Sequence, residues 1–499
     1  MDESSKRFSE SRFAILIAAI ALLFTSGPRL YLYLFGPNGH VFLGEIWGVY
    51  DIPRYVLLTR QAAAGAWLLD NRLQGPAHTG YLLYTPYIVL GHLLGWTGMA
   101  PLAMMEVARW IAFPLALAAS WLFIHRALPP GQRALGYFSA VLAGGLGFLA
   151  LTHPLTPLGP LVALDITAPS FTVMNSLNMA PHVALSVACL AVFGWGLLEA
   201  AEGRRRGILG ALALGAVASF HGFVVPCALL AGGIFFLWRG RRREVFALLA
   251  VATILAVPFG IYQFELSASD PSWRLIDYSE LENIPSLLLS RAVLWPFIIA
   301  GAVLAIRDPG HSRGPALALC WAGVALAFDL FPGFVTSELH RTVEGSPLAY
   351  GVLAAGGLAT LASRWRAYVV AAAMVAPVLE AVFLMVAGPL DGEAFMPASD
   401  YRLAMRLDRA GETRCIVADQ LTILWVVALS KTCDSQQNSD RVPPILRGLR
   451  DAATAEEARA LLPQPDDLVI WGERERAYGP PPVVLRRLAE EGGTQLLSP

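Results

Sequence analysis

An all-α polytopic membrane domain followed by a small C-terminal α/β domain is the fold class this sequence predicts, and three observations carry it. Of 499 residues, 56% are hydrophobic and 15% charged, with a mean hydropathy of +0.54, a balance that a water-soluble chain of this length does not show. Apolar stretches of about 20 residues, enough to span a bilayer, recur from Phe13 to Gly388. Arginines cluster in short loops between those stretches, whereas the chain beyond Gly388 has a soluble composition. The expected organisation is a membrane domain over 1–388 with a long first external loop at 37–79, and an extracytoplasmic α/β domain over 389–499.

The first element opens on MDESSKRFSESR and continues into FAILIAAIALLFTSG. A basic start and an apolar run suit a signal peptide, yet the apolar character continues past Gly27, Pro28 and Arg29 into YLYLF with no small-residue cleavage site. A retained first helix is expected, its start held in the cytoplasm by Lys6, Arg7 and Arg12. Five arginine-bearing loops follow, at 125–133, 203–207, 239–244, 307–314 and 364–366. Each adjacent pair is separated by an even number of apolar segments, so all five fall on one side, the cytoplasmic side, because arginine near a helix end resists translocation. Residues 80–124 must cross an odd number of times but read as two segments, 80–98 and 100–124, so one of them is expected to be interfacial or re-entrant. About 11–13 spanning helices result from this count, in a bacterial cytoplasmic membrane with the C-terminal domain outside. A formal net charge of −1 implies no polyanionic partner, and nucleic acid is not expected.

The outward loops gather the polar side chains. In the first, Asp51 stands before a run, 55–69, whose apolar residues recur at helical spacing with Arg54, Arg60 and Gln61 nearby, as in an amphipathic helix on a membrane surface. Pro53 just inside that helix gives Asp51 a reading as N-cap, which is compatible with a catalytic one. The second outward loop supplies Asp165, Asn175, Asn178 and His182, with Pro181 as a helix start and Asn178 as its cap. His221 sits in SFHGF at the outer bend of the next hairpin, so the two imidazoles are expected at similar depth. A lone histidine is more often a packing residue than a ligand, and this spacing names no metal site. A pocket holding Asp51, Asp165, His182 and His221 is the expectation, because polar residues at the ends of spanning helices are functional candidates.

The loop 331–351 holds Glu338, His340, Arg341 and Glu344, in which Arg341 also has the plain reading of an i, i+3 pair with Glu338 or Glu344. The acidic loop 263–286 reads as a solvated face at the mouth of the pocket. Glu106 and Arg109 are expected to pair within the membrane, and the other mid-helix positions look almost free of charge. In the tail, helical patterns alternate with the apolar runs CIVAD and DLVIWG, which predicts the small α/β domain. Cys415 and Cys433 fall there and suit a disulfide in an oxidising compartment, whereas Cys189, Cys227 and Cys320 lie in apolar segments.

A first helix, then DIPRY in a long external loop, the Gly-containing QAAAGAWLLDN, and the Tyr/Pro-rich YLLYTPYIVLGHLLG resemble the GT-C superfamily of membrane glycosyltransferases, which includes the aminoarabinose and protein mannosyltransferases. The resemblance implies a GT-C-like fold and transfer of a sugar from a polyprenyl-phosphate donor to a lipid or glycan acceptor. It gives Asp51, with Glu45 as the next candidate, the role of base for the acceptor or of metal ligand. Arg341, with His340 beside it, looks like the residue that contacts the lipid-linked phosphate, and a guanidinium can grip two phosphate oxygens at once. His182, His221, Asp165 and Asn178 would orient substrate. Asp51 is flanked by Tyr50 and Ile52, so the superfamily's paired acidic motif is absent. No cofactor is assigned, and a divalent metal ion stays open as an option. Two other readings stand beside the enzyme: a secondary transporter, against which the absence of an internal repeat argues, and an inactive GT-C-like scaffold.

Overall fold

Apolar runs fold as helices here because a helix satisfies its own backbone hydrogen bonds where no water can. The computed structural model describes residues 3–44, 51–70, 72, 80–82, 84–151, 155–156, 159–160, 172–239, 242–269, 284–307, 313–330, 343–387, 394–411, 414–434, 442–463, 467–478, 480–483, 485–491 and 493–498. Two units emerge: Met1–Pro28 with Arg109–Leu384, called the bundle, and Arg29–Ala108 with Met385–Pro499, called the outer unit.

Among the described residues, six helices are long and apolar enough to cross a bilayer: Glu10–Phe35, Pro101–Ala127, Pro181–Ala201, Arg243–Leu266, Arg313–Leu330 and Ser363–Val386. Three shorter apolar helices, Gly222–Trp238, Trp295–Arg307 and Ser346–Leu358, accompany them. The sequence suggested about 11–13 crossings, and the difference lies in runs that fold as short helices. Residues 134–152 and 208–220 yield only Arg133–Val141 and Ile208–Ala218. Of the two segments in 80–124, Thr85–Leu94 is a 10-residue helix, about 15 Å long, against a hydrocarbon core of about 30 Å. Pro101–Ala127 is the one with the length to cross.

The helix Pro181–Ala201 is the axis of the bundle, with 78% of its apolar window buried. Ala180 is extended and Pro181 takes the first helical position, where its missing N–H costs nothing. Small residues let its neighbours approach: a Cβ on Gly196 would lie 2.7 Å from the Gly207 carbonyl oxygen and 2.8 Å from Gly210 Cα. Trp295–Arg307 and Ser346–Leu358 meet just as closely, since a Cβ on Gly301 would stand 1.9 Å from Leu353 O. In a bilayer, where lipid is as apolar as leucine, such backbone approach is a main source of helix association.

The outer unit joins Arg29–Ala108 to the tail. The strand His40–Phe42 pairs antiparallel with Phe395–Pro397, with Val41 opposite Met396. The helix expected on the membrane surface is Ile52–Ala63, and protein covers it instead: Ile52, Tyr55, Val56, Leu57, Leu58 and Ala62 are all buried. It packs on Thr85–Leu94 and Gln420–Leu429, and Arg60 reaches Asp408 at 3.0 Å. Burial holds the Arg60 guanidinium below its usual range, with Asp408 opposing the shift. Glu106 accepts a hydrogen bond from the Tyr33 hydroxyl at 3.2 Å.

The tail carries a five-stranded sheet ordered Cys433–Asp434, Cys415–Val417, Leu468–Trp471, Thr494–Ser498 and Arg486–Glu491. The first two pairings are parallel and the last two antiparallel, so the sheet is mixed, and its helices supply the α/β character the sequence predicts. Val417, Val469, Trp471 and Leu497 form its core with Leu446, Leu449 and Ala458. Cys415 is disulfide-bonded, and the residue opposite it in register is Cys433.

Candidate active site

The short helix Val173–Asn178 ends just before Pro181, so its side chains collect with His182 at the start of the central helix. Thr172 caps it, its hydroxyl accepting from Asn175 N at 3.0 Å. Asn175, Asn178 and His182 are each at most 3% exposed. The Asn178 amide donates to Glu380 Oε1 at 2.5 Å, and the Asn175 amide reaches Glu380 Oε2 at 3.4 Å. Glu380 is fully buried within the apolar span Ser363–Val386, six residues from its end. A carboxylate tolerated there needs fixed donors, and the two asparagines supply them.

His182 and His221 do come together, their ring centroids 5.4 Å apart. The segment Gly222–Val224 turns as a 3-10 helix directly after His221 and points the imidazole inward, where it is 2% exposed. Gln263 closes over the bend: a Cβ on Gly222 would lie 2.4 Å from its Oε1, and its amide donates to Ala218 O at 3.3 Å. His221 Nε2 stands 2.9 Å from Glu344 Oε1. Glu344 is 1% exposed, and its Oε2 has no donor among the described residues. Buried carboxylate oxygens are nearly always satisfied, so an open one inside an imidazole cluster is a place where a substrate hydroxyl or a protonated group can bind.

In the outer unit, Asp51 immediately precedes the helix Ile52–Ala63, and Pro53 sits in its first turn as the sequence suggests. Its carboxylate does not cap: no side-chain cap bond forms, and the residue has helical dihedrals, φ −86° and ψ −34°. One turn on, Tyr55 packs against Tyr84 and Tyr87, with both centroid distances 4.9 Å. Tyr84 takes the left-handed region, φ 51° and ψ 50°, the one positive φ among described non-glycine residues. A bulky side chain held there costs about 1 kcal/mol or more, and such strain clusters at functional positions.

Asn178, His182 and His221 thus share one end of the bundle, and Asp51 belongs to the outer unit. Glu45, Asp165, His340 and Arg341 lie outside the described residues. Glu344, which the sequence offered with Glu338 as a plain partner for Arg341, faces His221. Glu380 was missed, although a single carboxylate in VAPVLEAVFLMVA is itself a signal. Among the described residues, no group of three His, Cys, Asp or Glu side chains forms a metal site.

No protein-family model matches this chain, and no curated protein sequence matches it significantly. Solved structures do. The oligosaccharyltransferase AglB from Archaeoglobus fulgidus, in complex with an inhibitory peptide and a dolichol-phosphate, is similar at a TM-score of 0.56 and 12% identity, over 93% of this chain and 69% of that one. ArnT from Cupriavidus metallidurans in the apo state is similar at 0.54 and 12% identity, over 98% of each chain. The same protein bound to undecaprenyl phosphate gives 0.52 at 14% identity, over 97% of each. The fold is GT-C-like, and the chain is a polytopic membrane protein.

Proposed function

We propose that this chain is a membrane glycosyltransferase that moves a sugar from a polyprenyl-phosphate donor to a lipid or glycan acceptor of the cell envelope. The reaction would take place on the outer face of a bacterial cytoplasmic membrane. The observation that carries the reading is the GT-C-like fold over nearly the whole chain, and Asp51, directly before the helix Ile52–Ala63, is the carboxylate we place in a first external loop. Among its neighbours, one structure holds a dolichol-phosphate and another undecaprenyl phosphate, which supports a lipid-phosphate donor here.

Asp51 acts as base, taking the proton of the acceptor hydroxyl as its oxygen attacks the anomeric carbon. The new C–O glycosidic bond forms while the bond from that carbon to the phosphate oxygen breaks, and polyprenyl phosphate leaves with the electron pair. Attack opposite the leaving group inverts the anomeric configuration. Arg341, with His340, balances the charge that builds on the phosphate. Glu45 is the alternative base. His182, His221 and Asn178, with Asp165, orient a substrate, and the open oxygen of Glu344 accepts from one of its hydroxyls. No step is assigned to a metal.

Membranes carrying Asp51→Asn, matched for expression, are expected to lose about a hundredfold or more of transfer from polyprenyl-phosphate sugars. Full activity in that variant would overturn the base assignment. A secondary transporter is the second reading, favoured by the buried Glu380 in an apolar span. It requires that wild type transfer sugar from no polyprenyl donor while proteoliposomes accumulate solute.

A further inference from the structure

At the arginine-rich end of the bundle, the chain encloses a cavity of about 1240 Å³. It is lined by Arg126, Arg133, Arg204, Arg206, Arg239 and Arg313, contributed by four of the arginine-bearing loops and their helix ends. The lining carboxylates are Glu199 and Glu202, and Glu10 faces Arg133 at 3.6 Å. Even counting Glu10, the arginines outnumber these carboxylates by three.

The cavity is built around Glu199, whose side chain is fully buried. Arg126 Nε donates to it at 2.6 Å, Arg206 Nε at 2.5 Å and Arg204 Nη1 at 3.2 Å. Arg204 also pairs with Glu202 at 2.8 Å, and Arg126 pairs with Glu202 too. One buried carboxylate therefore holds three guanidiniums in place before any ligand arrives, so a bound anion need not order them. Besides His125 and Gln132, the rest of the wall is apolar, with Leu122, Trp195, Leu304 and Leu353, all on apolar helices of the bundle.

We propose that this cavity binds a phosphate ester, supplied by the headgroup of an anionic phospholipid. Surplus positive charge selects a phosphate, guanidinium forks match its oxygens, and the apolar wall accepts the glycerol and the first methylenes that a free phosphate lacks. Nothing in this inference depends on the glycosyltransferase reading, and its test reads no catalysis.

Purified full-length protein is exchanged into nanodiscs of phosphatidylcholine containing cardiolipin or phosphatidylglycerol at a few per cent, and retained lipid is measured by native mass spectrometry. Anionic lipid is expected to be retained in preference to phosphatidylcholine, and Arg239→Gln with Arg313→Gln to weaken it at least about tenfold. That pair leaves the Glu199 cradle intact. Equal retention of charged and zwitterionic lipid, or unchanged affinity in the double variant, overturns the proposal. Inorganic phosphate at millimolar concentration is expected not to displace the lipid, and full displacement overturns the lipid as source. Should the double variant fail to fold, wild-type retention at rising salt decides: it is expected to fall steeply, and a flat response overturns the proposal.

Discussion

One helix, Pro181–Ala201, carries two buried polar centres, with His182 in its first turn and Glu199 in its last. Seventeen residues separate them, about 26 Å of helix, and they treat a buried carboxylate in opposite ways. Glu199 is surrounded by three guanidiniums. Glu344, at the His182 end, has one imidazole at 2.9 Å and an oxygen without a donor among the described residues. A saturated carboxylate organises its neighbours and has nothing left to offer. An under-satisfied one keeps an acceptor for something that arrives later. The contrast separates architecture from chemistry more sharply than residue type does, since both are glutamates in an apolar bundle.

The sharpest way to break that contrast is Glu344→Gln. The amide keeps the volume but removes the carboxylate that faces His221 and would accept from a substrate hydroxyl, so transfer is expected to drop about tenfold to a hundredfold in kcat with the folded fraction little changed. Unchanged turnover with lost stability would make the pair structural. Glu199→Gln should do the reverse. Removing one partner of a buried ion pair usually costs 3–5 kcal/mol, but Arg204 and Arg206 are 49% and 58% exposed and can rehydrate, so about 2 kcal/mol is expected. Thermal inactivation should begin a few degrees lower, while transfer per folded molecule stays within about twofold.

A third carboxylate, Glu475 in the tail, lies between the two. Its oxygens accept from Asp419 N at 2.8 Å and Gly472 N at 2.9 Å, yet burial still pushes it up to about 7. A folded-state value above the unfolded value of about 4.3 means a stabilising contribution that is full below pH 4 and lost as pH rises through 7. Hydrogen exchange of tail peptides in the full chain is expected to quicken modestly between pH 5 and 8, after correction for the intrinsic rate. The reverse trend would show that the two amides dominate.

Local signals marked where elements begin but not how they are capped, since neither Asp51 nor Asn178 caps a helix with its side chain and Ala180 holds the position before Pro181. Pro181 marked a helix start, Asp51 stood before a helix, and the two histidines at the turns of neighbouring segments met as expected. Each of these rests on a few adjacent residues. The partner of His221 could not be read, because Glu344 lies 123 residues away beside an arginine that offered a nearer explanation. Glu380 was hidden by the run around it, since hydropathy summed over a window outweighs one charge. For 55–69 the pattern was read without its cover. An amphipathic pattern states that one face is covered, and here Thr85–Leu94 and Gln420–Leu429 cover it.

The antiparallel pairing of His40–Phe42 with Phe395–Pro397 also sets an order of events during synthesis. Arg60 and Asp408 are 348 residues apart in sequence, so the segment around Arg60 emerges long before the chain that completes it. Closing a loop of that length adds little equilibrium cost, because the entropy grows only with the logarithm of length. The delay is another matter. At about 5–20 residues per second, the edge of His40–Phe42 and the part of Ile52–Ala63 that Gln420–Leu429 covers wait tens of seconds for their partners. A chain cut before residue 395 would leave both uncovered for good, as a target for proteolysis and for chaperones.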